Sequence, residues 1–107
     1  MERARFPIID VHNHVNDARS ADEHVPPGKV IEIMDATNVR TAVILTGAWG
    51  DKLQRVIDEM VKPNPGRFMV FTQIDWSRID EPGFSGKMVD QIDDAVRRGA
   101  RGLKVLK

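Results

Sequence analysis

The chain predicts an α/β fold: four strands alternating with three helices, β-α-β-α-β-α-β, in a parallel sheet. Three observations carry this. Short apolar runs recur at intervals of roughly 30 residues, the length of a βαβ unit. Between them, apolar residues return at helical spacing. The run from Thr41 to Leu45 is continuous rather than alternating, as expected of a strand covered on both faces.

The first strand is the run Ile8-Ile9-Asp10-Val11, read as buried, with His12 and His14 at its C-terminal end. Side chains two apart in a strand share a face, so strict alternation places both imidazoles on one side with Asp10 behind them. Val15 to Pro27 is polar and proline-punctuated, a loop that contains Asn16, Asp17, Asp22, Glu23 and His24. From Lys29 the positions Val30, Ile33, Met34 and Thr37 mark a helix, with Asn38 as its stop. Thr41 to Leu45 is the second strand, closed by Thr46-Gly47. Asp51 and Gln54 have capping-box spacing ahead of Leu53, Val56, Ile57, Met60 and Val61, which mark the second helix. Two prolines in Lys62-Pro63-Asn64-Pro65-Gly66 end it. The third strand runs from Phe68 to Ile74, with Asp75-Trp76 at its exit. Helix three is expected from about Gly86 to Arg98, with Met88, Val89, Ile92, Ala95 and Val96 inward and Gly99 closing it. Gly102 to Leu106 is the fourth strand.

Composition narrows the function. Sixteen basic residues balance sixteen acidic ones, leaving no electrostatic footprint for nucleic acid or an anionic membrane. There is no cysteine, so any metal must be held by imidazole, carboxylate, modified lysine or water. No apolar window reaches the roughly 18 residues of a membrane span, and the N-terminus lacks the apolar stretch of a signal peptide. A cytoplasmic protein is expected. Two architectures suit the strand–helix alternation: an open doubly wound sheet and a (β/α)8 barrel of the TIM type. Both put functional residues at the C-terminal strand ends, where His12, His14 and Asp75 fall. No glycine-rich phosphate loop follows strand one, which argues against nucleotide binding.

Ile9-Asp10-Val11-His12-Asn13-His14 resembles the Asp-x-His-x-His opening of the amidohydrolase superfamily. More narrowly, it resembles the amidohydrolase-related group of metal-dependent hydrolases and non-oxidative decarboxylases. Met34 to Val43 is similar to that group's first helix and second strand, where glycine more often stands at Asn38. Asn64-Pro65-Gly66-Arg67-Phe68 and Gly99 to Val105 resemble its approaches to strands three and four. The resemblance implies that residues 1–107 are a single N-terminal half-barrel segment, since a complete barrel takes about 250 residues. It also implies that His12 and His14 bind a divalent metal, most often zinc. The family's remaining ligands and catalytic aspartate come from strands five, six and eight, so no catalytic residue is assigned here and the segment alone is expected to be inactive. Some superfamily members bridge two metals with a carboxylated lysine from strand four, where Lys104 stands.

Several side chains have both a functional and a structural reading. Asp10 either orients an imidazole or is a buried carboxylate paired with Lys104 or another interior donor. Lys104 is paired, carboxylated, or exposed at an edge. Asp75, Trp76 and Thr46-Gly47-Ala48-Trp49 are pocket-wall positions or loop packing; His24 reads as solvent-exposed. The function expected is a metal-dependent hydrolase in which activated water attacks a carbonyl-type centre of a small molecule. The alternatives are a metal-dependent decarboxylase and a non-catalytic half-barrel that forms homo-oligomers through its open strand edges. Apolar Leu103, Val105 and Leu106 on the last strand point to such an edge.

Overall fold

A computed structural model describes residues 2–19 and 24–105. Its four strands, β1 (Ile8–Asn13), β2 (Val39–Ile44), β3 (Phe68–Gln73) and β4 (Gly102–Lys104), form one parallel sheet in the order β1-β2-β3-β4. A doubly wound sheet reverses its strand order at a switch point. No reversal occurs among these four strands, and the curled parallel sheet is consistent with part of a barrel. β4 ends at Lys104, short of the expected strand, since Val105 is already outside it; Leu106 and the loop residues Asp22 and Glu23 lie outside the described residues.

Three helices connect the strands: α1 (Pro27–Thr37), α2 (Gly50–Val56) and α3 (Phe84–Arg98). α1 starts two residues before the expected Lys29, because proline suits a first helical turn whose N–H groups lack partners anyway. Asn38 ends it in the left-handed conformation (φ 62°), which asparagine tolerates. Its amide also donates to Ala4 O (3.0 Å) and accepts from Arg3 (3.2 Å), contacts a glycine could not make. α2 runs on into a π-helical turn, Ile57–Val61, before the prolines stop it. The capping box is absent. Trp49 is the N-cap residue, Asp51 lies in the first turn, and Gln54 donates to Asp58 instead (3.0 Å). The helix begins two residues earlier than the box requires, so Asp51 complements the positive helix end through its charge rather than as a cap.

The core lies between the helices and one face of the sheet. Leu53, Val56, Ile57 and Met60 pack on Ala42, Ile44, Phe68 and Val70, with Met34, Ala95 and Ala100 at the margins. β2 is buried on both faces from Thr41 to Leu45, as its continuous apolar run requires. The outer elements depart from expectation. β1 is not buried: Ile9 is 60% exposed and Val11 68%. It has a neighbour on one side only, so an apolar sequence does not secure cover. In α3, Val89 and Val96 are 64% and 58% exposed, whereas Met88 and Ala95 face inward. Two residues seven apart share a helix face, and no described element lies against this one. β4 is an open edge as expected, with Leu103 and Val105 exposed.

Candidate metal centre

All four strands are parallel, so their C-terminal ends gather His12, His14, Thr46, Gln73, Asp75 and Lys104 at one end of the sheet. The histidine pair is shaped by an irregularity in β1. Asp10 is in register with Ala42 but Asn13 with Ile44, so three residues of β1 span two of β2. Bulges of this kind re-aim side chains. The Asp10 carboxylate holds it, accepting from the His12 backbone N–H (3.0 Å) and the Asn13 amide (2.8 Å). The Asn13 side-chain Oδ1 in turn accepts from the Val15 N–H (2.8 Å). The imidazoles of His12 and His14 consequently converge, with ring centroids 5.2 Å apart and planes at 74°.

Asp10 therefore does not sit behind the imidazoles. Its carboxylate borders a cavity of about 300 Å³ between β1 and α1, lined also by Val30, Ile33 and Met34. The bulge breaks strict alternation, and the side chain moves to the helix side. Of the partners expected for Asp10, the interior donor it finds is the Asn13 amide rather than an imidazole ring or Lys104; Lys104 has no ion-pair partner among the described residues. Lys104 is half-buried in register with Gln73.

His14 belongs to a network that begins in the polar loop. Its Nδ1 lies 2.9 Å from the Thr46 hydroxyl, which donates to Asp17 Oδ2. Asp17 is 1% exposed and also accepts from the Arg19 backbone N–H (2.8 Å), Nε (3.1 Å) and a terminal nitrogen (3.0 Å). Neighbouring Asn16 is buried in the left-handed conformation (φ 49°) and clamps Val25 from across the loop, accepting from its N–H and donating to its carbonyl. This fastens the loop that carries His14 and Asp17. Polar loop residues ordinarily face solvent, and nothing in the spacing of Asn16 and Asp17 marked them as buried.

The remaining candidates lie apart from the pair. Asp75 caps the short 3-10 turn Trp76–Arg78, accepting from the Ser77 N–H (3.2 Å) and hydroxyl (2.6 Å). Trp76 lies against Phe84, with centroids 6.1 Å apart. His24 is exposed as expected and sits 3.1 Å from Glu59. Thr72 and Gln73 bind the β2–α2 loop at Ala48, which fixes the wall beside Thr46.

The carboxyls respond to these contacts. Hydrogen bonds from Asn13 and the His12 backbone hold Asp10 below its usual range. Burial would raise Asp17, but hydrogen bonds from Thr46 and Arg19 outweigh it and hold this carboxyl low as well. A carboxyl depressed in the folded state stabilises the fold above its unfolded pKa, and that contribution is lost as the pH falls through the folded value. The stability gap between wild type and Asp17→Asn, measured by urea unfolding, is expected to be widest near neutrality. It should narrow as the pH drops below about 4. A gap independent of pH would show that Asp17 is not depressed.

The rings of His12 and His14 fit half of a divalent-metal site: two imidazoles close together, one of them held through Nδ1 as bound histidines usually are. Among the described residues, no third histidine, aspartate or glutamate joins them in a ligand group. Also among the described residues, no helix is long and apolar enough to cross a membrane. No family model, curated protein or solved structure matches the chain.

Proposed function

We propose that this chain is the strand-one half of a TIM-type barrel of the amidohydrolase superfamily, in which His12 and His14 hold a divalent metal, zinc for preference. The convergence of the two imidazoles at the C-terminal end of a sequentially ordered parallel sheet carries this reading. A bound zinc would lower the pKa of a water and polarise a carbonyl-type oxygen of a small substrate. The chain's own residues have narrower tasks. Asp10 and Asn13 set the backbone that aims His12 and His14. Thr46 and Asp17 steady the His14 ring, and the β2–α2 loop forms a wall. Two imidazoles fill half of a tetrahedral set. Further ligands, and the carboxylate that manages the proton, come from outside this group of residues. The same pair would serve hydrolysis or non-oxidative decarboxylation, with a cytoplasmic location for either.

Zinc uptake tests the reading. The wild-type chain is expected to bind zinc in competition with a chromophoric chelator, and His12→Ala/His14→Ala to bind at least about 100-fold more weakly. Equal uptake by both proteins would remove the site.

A second reading, a self-associating half-barrel, is supported by the matching apolar surfaces at the two sheet ends. Ile9 and Val11 lie exposed on β1, while Leu103 and Val105 lie exposed at β4 with Val89 and Val96 on α3. Pairing β4 of one copy with β1 of another would close eight strands from two chains. Light scattering that shows a stable monomer would contradict it.

A further inference from the structure

We propose that Thr46, backed by Asp17, is a positioning residue that fixes the tautomer of His14, so that Nδ1 carries the proton and Nε2 offers its lone pair to a divalent cation. The inference rests on the metal reading for its purpose, but the tautomer itself follows from the network.

The argument is a count of protons. The Thr46 hydroxyl has one proton and, among the described residues, two close polar neighbours, Nδ1 of His14 at 2.9 Å and Oδ2 of Asp17. Asp17 Oδ2 already accepts from Arg19 Nε and a terminal nitrogen, so it acts as an acceptor towards Thr46 too and the hydroxyl proton goes to it. If Nδ1 carries a proton, it donates to the free lone pair of Thr46 and every close contact of the hydroxyl is a hydrogen bond. If Nδ1 is bare, the hydroxyl faces two acceptors with a single proton, and one short contact becomes a meeting of lone pairs. Asp17 Oδ2, 3.4 Å from Nδ1, adds its charge in favour of the protonated nitrogen.

Arg19 is the competitor. A terminal nitrogen of its guanidinium lies 3.2 Å from Nδ1 and could donate to a bare ring nitrogen. That side chain is 65% exposed, however, and its fork is already engaged by Asp17 through Nε and the same terminal nitrogen. Thr46 and Asp17 are both 1% exposed and cannot move aside in the same way. The buried pair therefore decides the tautomer, and Arg19 balances the charge of Asp17. Metal-binding histidines usually have the non-ligating nitrogen held in this manner, which fixes ring orientation and ligand basicity.

The test is nitrogen-15 NMR of the imidazoles in the metal-free 107-residue chain at about pH 8, above the ordinary histidine range. It is run on wild type, Thr46→Val and Thr46→Ser, with zinc affinity measured on each by chelator competition. Wild type is expected to show His14 protonated at Nδ1, and Thr46→Ser, which keeps the hydroxyl, to match it. Thr46→Val should shift the ring towards the Nε2-protonated form and weaken zinc binding roughly 10- to 100-fold. An Nε2-protonated His14 in wild type would overturn the proposal whether or not the variants fold. An unchanged tautomer in folded Thr46→Val would overturn it too. If the tautomer shifts as expected but neither protein takes up zinc, the positioning role stands and the metal reading fails.

Discussion

Leu53→Ala is expected to cost about 3–4 kcal/mol. Leu53 is fully buried on α2, at the centre of the cluster formed with Ile44, Val56, Ile57 and Val70. Truncation removes the transfer free energy of the lost methyl groups and leaves a cavity that strands on one side and a helix on the other cannot collapse into. A domain of this size has about 5–15 kcal/mol in total, and here both sheet edges and one helix face contribute little burial. Urea unfolding should show a lower midpoint with an unchanged slope. A loss below about 1 kcal/mol would mean that the core does not centre on α2.

Gly47→Ala should be nearly as damaging, at about 2–3 kcal/mol, for the opposite reason. A Cβ at this position would stand 2.5 Å from Val70 Cγ2, 2.7 Å from the Phe71 carbonyl oxygen and 3.0 Å from Leu53 Cδ1. The carbonyl belongs to β3 and already accepts from the Gly47 N–H at 3.0 Å, so relief requires the loop itself to retreat. Thr46 is the adjacent residue and would move with it. The substitution should therefore weaken zinc uptake as well as stability, whereas Leu53→Ala in its folded fraction should affect stability alone. Unaltered stability in Gly47→Ala would show that the loop does not press on β3 as described.

The order of strands and helices was legible because periodicity reports which residues meet a neighbour, and α2 and β2 have neighbours on every apolar side. The same signal misled at the periphery. Ile9, Val11, Val89 and Val96 read as core by sequence, yet an apolar side chain states only what it would pack against, and no described element is there. Asp10 was misplaced for a different reason. Its face is set by hydrogen bonds to Asn13 and the His12 backbone that create a bulge, and a rule of strict alternation cannot register an extra residue. The histidine pair was legible as spacing. Asp17 and Arg19, which support it, lay in a loop whose composition matches that of any solvated segment. Only the fold shows that Asn16 and Asp17 turn inward.

The sequential strand order also bears on how the chain folds. Ile8 pairs with Val39, Ala42 with Phe68 and Phe71 with Gly102, separations of 31, 26 and 31 residues. Loop-closure entropy rises only with the logarithm of length, so these three pairings carry nearly the same entropic cost. None of them waits on an earlier long-range closure. The unit with the shortest loop, β2-α2-β3, also holds most of the buried side chains and suits the role of nucleus, to which β1 and β4 add independently on either flank. The loop bearing His14 and Asp17 bonds to β2 through Thr46, so the histidine site would assemble as the first flank docks, without waiting for the second.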